Sequence, residues 1–155
     1  MPVKLGDEVK KLLEDPSAVK ALATSDREGE PYVVIKETIY PYGEDKIIYL
    51  ELLESSRTGN NLVRSIWFDK NVSLNLKGRD GESFQIKGRV VRSIIAGRSF
   101  QKYYKDIRGR LGDVDLSAVW VIEPLEVTDE TYIRNKKQEE EQRPYFKHLD
   151  RIAKL

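Results

Sequence analysis

Between residues 18 and 127 the chain returns repeatedly to a side-chain period of two, and glycine-bearing turns separate the returns. Residues 31–40 place Tyr32, Val34, Lys36, Thr38 and Tyr40 on one side and Val33, Ile35, Glu37 and Ile39 on the other. Residues 71–77 alternate in the same way, with Val72, Leu74 and Leu76 on one face. Successive side chains of a strand point to opposite faces, so each of these stretches needs a partner layer for its apolar side. Turn sequences at 26–30, 41–45 and 78–81 supply glycines for positive backbone angles. They link the stretch 18–24 to 31–40, that one to 46–52, and 71–77 to 83–95. Gly88 interrupts the last of these, as a bulge or barrel corner would. A final strand, 117–123, ends at Pro124, with Leu125 and Val127 continuing extended. The count is about six strands in hairpins and meanders.

Three segments change period. Leu5, Val9, Leu12 and Leu13 share one helical face before Asp15 and Pro16 stop the pattern. Residues 60–68 suit a short helix with Leu62, Ile66 and Trp67 toward the core. Residues 98–111 carry the stripe Phe100, Tyr103, Tyr104, Ile107 and Leu111. The expectation is an antiparallel barrel, closed so that no edge stays free, with helices plugging its ends. The tail is different material: a charged run at 135–143, then Pro144 and a segment bearing Phe146, Leu149 and Ile152.

With 155 residues the chain is one domain with room for a core. Its 27 basic and 26 acidic residues nearly cancel, which argues against a nucleic-acid or membrane-surface partner. The absence of cysteine excludes disulfide scaffolds, thiolate metal sites and a cysteine nucleophile. A single histidine, His148, makes histidine-rich metal sites and a Ser-His-Asp triad poor candidates. No metal site is expected, although a carboxylate-only one stays open. Residues 1–13 lack the apolar run of a signal peptide, and no stretch matches a membrane span, so the expected compartment is the cytoplasm. Arg98, Lys102, Lys105, Arg108 and Arg110 read as a solvated helix face, and Glu139, Glu140 and Glu141 as an exposed helix. Trp67 and Trp120 read as apolar anchors.

The stretch with chemistry in it is Ser55-Ser56-Arg57-Thr58-Gly59-Asn60-Asn61-Leu62. Short hydroxyls, a guanidinium and the free amides of a helix start converge there, which suits a phosphate monoester. An ordinary helix cap at Ser56 or Thr58, with Arg57 in solvent, explains the same residues.

Around that stretch the chain resembles the pyridoxamine 5'-phosphate oxidase-like, FMN-binding split β-barrel family. Residues 21–34 resemble the family's first hairpin. Residues 45–76 resemble its phosphate-binding centre, where a strand, a Ser-Arg-Lys-like triplet, an Asn-Leu helix and a further strand follow in order. Residues 84–93 resemble the next strand with its embedded glycine. The resemblance implies a mainly β fold with α, a six-stranded antiparallel split β-barrel with flanking helices. The resemblance spans roughly residues 18–127; the implied domain covers 1–130, with a charged helical tail over 131–155 packing on the same domain or on a dimer partner. It also implies FMN as cofactor, lying between the subunits of a homodimer. Ser56 and Arg57 would touch the phosphate; Thr58 stands where many members have lysine, and Asn61 matches the helix asparagine near that site. Lys36 would approach the flavin, Val34 and Ile35 would line its ring with their backbones, and Tyr49, Leu50 and Glu51 would border it. A cation such as Lys36 near the reduced ring would raise its reduction potential.

The implied activity is an FMN-dependent oxidoreductase acting on a small-molecule substrate or electron donor, with no catalytic residue assigned. The Arg-x-His pair of the pyridoxamine phosphate oxidases is missing from residues 119–135, so that reaction is not expected. His148 reads either as a solvated or interface residue or as a cover over the flavin edge. Relatives of this fold bind the deazaflavin F420 or haem, and a non-catalytic flavin-binding module is a further alternative.

Overall fold

One continuous segment supplies both ends of the sheet that organises this protein. In the computed structural model, which describes residues 2–143, the order is α1 (Asp7–Glu14), β1 (Val19–Ser25), β2 (Pro31–Ile35), β3 (Ile39–Tyr42), β4 (Lys46–Glu51), α2 (Arg57–Trp67), β5 (Asn71–Lys77), β6 (Ser83–Ile94), α3 (Arg98–Leu111), β7 (Ala118–Asp129) and α4 (Tyr132–Gln142). The strands form a single curled antiparallel sheet in the order β2-β1-β5-β6-β7-β4-β3. The sheet thus has seven strands, not six. The extra one arises because residues 31–40 change partner midway. Val34 faces Leu22 and Ile35 faces Ala21 on β1, whereas Ile39 faces Tyr49 and Tyr40 faces Ile48 on β4. At the junction the Lys36 amide donates to the Lys20 carbonyl (2.8 Å) and the Leu50 amide to the Thr38 carbonyl (2.9 Å). Alternation reports which face is buried, not which neighbour a strand pairs with, so the break left no mark on the periodicity.

The main core fills the concave side of the sheet with Leu22, Ile47, Tyr49, Leu74, Leu76, Ile86 and Ile122, and α1 closes it with Val9, Leu12 and Leu13. A second core lies on the other side of β4 and β7. There Ile48, Leu50, Val119 and Val121 meet Ile107 of α3 and Leu116. Both faces of β4 and β7 are therefore covered, which explains the unbroken apolar runs at 47–50 and 118–122. Phe100, Tyr103 and Tyr104 pack partly against this second core, while Leu111, expected on the buried stripe, is 44% exposed.

Lys20 ties these parts together. It is buried, and its ammonium donates to the Leu13 carbonyl (2.6 Å) at the end of α1 and to the Ile39 carbonyl (2.9 Å) on β3. Burial lowers its pKa, because the charged form loses water.

The bulge expected at Gly88 is present. Lys87 faces Glu126 and Gly88 faces Pro124, which leaves Leu125 unopposed. A side chain at position 88 would meet Ile122 Cγ2 at 2.7 Å, so the close approach of β6 and β7 requires glycine. The same bulge lets β7 run on through Pro124, where the strand was expected to stop. The extra residue accommodates a proline that has no amide to donate.

α4 follows directly from β7. Arg134 forks onto Glu8 of α1 (2.8 and 2.7 Å) and also reaches Asp129 (2.9 Å). Hydrogen bonding from Arg134 holds the Glu8 carboxyl below its ordinary range. Burial opposes the same shift at Asp129, but bonds from Thr131 and Arg134 outweigh it. The segment with Phe146, His148, Leu149 and Ile152 lies outside the described residues. Among the described residues no helix is long and apolar enough to cross a membrane.

Candidate functional site

Where the chain changes sheet ends, it leaves a cavity of about 510 Å³. One wall is the junction itself, residues 35–38. The floor is the end of β4, with Tyr49, Leu50 and Glu51, continued by Leu52 and Leu53. Leu111 at the end of α3, with Val114 and Asp115 just after it, closes the far side.

Three charged or polar side chains give this cavity its character. The Lys36 ammonium lies 5.7 Å from the centre of the Tyr49 ring, within cation–π range. Tyr49 is buried, and its hydroxyl donates to Oε2 of Glu51. Glu51 is only 2% exposed, and its Oε1 accepts the Leu53 amide (3.1 Å). A carboxylate without water needs such donors, and the two bonds come from opposite sides of the β4–α2 connection. Burial, then the bond to Glu51, pushes the Tyr49 phenol far above its ordinary range, so it stays a donor.

α2 begins beside this floor. A Cβ at Gly59 would stand 3.9 Å from Cγ of Glu51, so the carboxylate side chain packs under the first turn. Ser56 is the N-cap, extended at φ −61° and ψ 134°, and its hydroxyl accepts the Gly59 amide (3.2 Å). Arg57 projects outward over the Tyr32 ring, 5.4 Å from its centre. Thr58 and Asn61 turn the other way. Both are buried, and Asn61 Nδ2 donates to the Thr24 hydroxyl (2.9 Å) on β1. Ser65 continues this buried polar face by donating to the Asn61 carbonyl (2.8 Å). Only Leu62 of the expected apolar face lies inside; Ile66 is 40% and Trp67 79% exposed. Leu62 joins the main core, and Asn61 adds the bond across to β1. Trp120 is buried in the main core, with its Nε1 unpaired among the described residues.

Of the residues singled out by sequence, Ile35, Lys36, Tyr49, Leu50 and Glu51 thus share one cavity. Val34 lies on the opposite face of β2. Ser56, Arg57, Thr58 and Asn61 gather at the start of α2, with the Arg57 guanidinium outward and the other three side chains buried. Sequence gave no indication of Tyr32, Leu111, Val114 or Asp115. The first reaches Arg57, and the others reach the cavity, only through tertiary packing. Among the described residues no three His, Asp or Glu side chains converge to hold a metal ion.

The arrangement offers a flat aromatic ligand an apolar wall, a backbone edge at 35–38, one cation and one buried acceptor. The ring end of a flavin fits that donor set. The phosphate end is leaner: Ser56, Arg57 and the free amides of the first turn are what α2 presents.

No family model matches the sequence, and a search of curated proteins finds no match. Solved structures do match. HupZ from Group A Streptococcus aligns with a TM-score of 0.69 at 19% identity, over 83% of this chain and 95% of that one. An FMN-binding protein from Syntrophomonas wolfei aligns at 0.62 and 16% identity, over 77% and 86%. A Lactobacillus delbrueckii protein carrying the pyridoxamine 5'-phosphate oxidase name aligns at 0.60 and 19% identity, over 81% and 93%. An F420 reductase and HutZ, the haem storage protein from Vibrio cholerae, share the fold at 0.60 and 0.56. The chain has the fold of the pyridoxamine 5'-phosphate oxidase-like split barrels that its sequence resembles.

Proposed function

We propose that this protein binds FMN in the cavity at the sheet junction and passes hydride or electrons through it to or from a small molecule. The observation that carries this reading is the convergence of Lys36, Tyr49 and Glu51 with the backbone of residues 35–38 around one flavin-sized space. Val34 and Ile35 supply the strand edge along the ring. Leu50 sets its floor, while Lys36 offsets negative charge on the reduced ring. Ser56 and Arg57 receive the phosphate at the start of α2, and Thr58 and Asn61 hold that start against β1 from beneath. The protein groups bind and orient; the redox chemistry is the cofactor's own. Exposed Val33 and Ile35 on the sheet end and Leu53 beside the cavity give a second copy an apolar surface to cover, consistent with a homodimer that completes the flavin site. A cytoplasmic location and a tail over 131–155 packed on the same domain or the partner belong to the same reading.

A second reading keeps the cavity and changes the occupant to F420 or haem. It is favoured by Thr58 and Asn61, which are uncharged, turn inward and add no cation to Arg57 at the helix start, and by the fold shared with an F420 reductase and a haem storage protein. A flavin carrier without turnover is the non-catalytic form of the first reading.

The test is the visible absorption of the purified protein, followed by titration with FMN, F420 and haem. Saturable FMN binding that Arg57→Ala weakens about tenfold, the worth of one charge-assisted phosphate bond, supports the first reading. Binding of only F420 or haem replaces it with the second, and binding of none removes both.

A further inference from the structure

A second cavity, of about 780 Å³, opens between the β1–β2 turn and the last turn of α2, and shares no lining residue with the first. Arg27, Arg64 and Lys70 reach it from three separate segments. None of the three makes an ion pair among the described residues. Asp26 and Glu28 line the same cavity, so its three cations exceed its acids by one and leave a small positive excess. A sharper sign is the Nε of Arg64, which is buried yet has no hydrogen-bond partner among the described residues. Buried donors are almost always satisfied, and this one, on a residue that lines the cavity, is not.

Two acids share the lining. Asp26 Oδ1 accepts the amides of Glu28 (3.0 Å) and Glu30 (2.9 Å), which shape the turn, and Glu28 is exposed to solvent. The Phe68 amide donates to the Arg64 carbonyl and the Lys70 amide to the Ser65 carbonyl, both at 2.9 Å. The cavity thus carries three cations against two carboxylates, with the exposed ring of Phe68 beside them.

We propose that this cavity binds a phosphate-bearing anion, gripped by the guanidinium groups of Arg27 and Arg64 and the ammonium of Lys70. Arginine forks match phosphate oxygens in pairs, and a partly buried fork gives directed, strengthened bonds. Lys70 adds a point charge from the other side. The proposal stands on this cavity alone and does not depend on what occupies the first.

The experiment is an amide nitrogen–proton NMR titration of the intact protein with sodium pyrophosphate at low salt. The expected result is saturable shifts at Gly29, Ser65, Phe68 and Lys70. The double variant Arg27→Ala/Lys70→Ala, both of whose side chains are exposed and so dispensable for folding, should weaken binding tenfold or more. Arg64→Ala should do the same, and Arg79→Ala, which removes one cation from the distant β5–β6 turn, should leave it intact. Shifts that never saturate, shifts confined to residues 57–59, or undiminished binding by the double variant would overturn the proposal.

Discussion

The Tyr49 hydroxyl donates to the Glu51 carboxylate across a single intervening residue, and both side chains lie on the covered floor of the first cavity. Alternate residues of a strand share a face, so β4 delivers donor and acceptor together and the pair needs no other element to align it. Tyr49→Phe leaves one oxygen of a buried carboxylate without its donor. The expected cost is about 1–3 kcal/mol, read as a lower urea midpoint with an unchanged slope.

The same pair sets a pH dependence with a definite sign. In the unfolded chain Tyr49 ionises near its ordinary pKa of about 10, while burial and Glu51 keep it protonated in the fold. Above that pH the unfolded state binds fewer protons, so stability falls as pH rises. Urea midpoints measured on both sides of pH 10 should fall more steeply for the native protein than for Tyr49→Phe. Equal slopes would show that another group carries the alkaline loss.

Lys20→Ala removes the donor shared by Leu13 and Ile39 and leaves two buried carbonyls bare. The expected destabilisation is roughly 2–4 kcal/mol, against no more than about 0.5 kcal/mol for an exposed lysine such as Lys87. Hydrogen exchange should locate the loss at α1 and β3 before it reaches β5 and β6.

Arg134 anchors α4 through Glu8 and Asp129, whose carboxyls sit below their ordinary range in the fold. Depressed carboxylate values stabilise above the unfolded pKa of about 4 and lose that contribution as pH falls. All three side chains are more than a third exposed, so solvent screening keeps the effect small. Proteolytic cutting after α4 residues should accelerate below that pH. Arg134→Ala should bring the same acceleration to neutral pH.

With FMN bound, Lys36→Met should lower the flavin reduction potential, because the cation that offsets charge on the reduced ring is gone. An interaction of about 1 kcal/mol corresponds to on the order of 20 mV for a two-electron couple, measurable by dye-equilibrated titration. A rise in potential would place the ammonium elsewhere.

Much of this architecture was legible because strands with one covered face announce themselves. The register of β5, with Val72, Leu74 and Leu76 inward, and the bulge at Gly88 both follow from local pattern. The split between β2 and β3 did not, since a change of pairing partner alters no side-chain face. The expected face of α2 is only partly the buried one: an apolar count favours Ile66 and Trp67, whereas Leu62 is buried beside Thr58, Asn61 and Ser65, and Asn61 bonds across to Thr24. At the first cavity, neighbours on β4 could be named together from sequence. Leu111, Val114 and Asp115 could not, since only folding brings the end of α3 and the residues just after it to the end of β4.

The junction at residues 36–38 has a consequence for how such a site can change. Lys36 is tied to β1 and Thr38 to β4, and only Glu37 between them makes no backbone bond to either strand. An insertion there would leave both hairpins in register and move only the cavity wall. Elsewhere in the sheet the same insertion would have to be absorbed as a bulge, as opposite Gly88, or would slip the register and turn the strand's faces over. The seam is thus a stretch of this sheet where a binding space can be recut while the frame around it stays as it is.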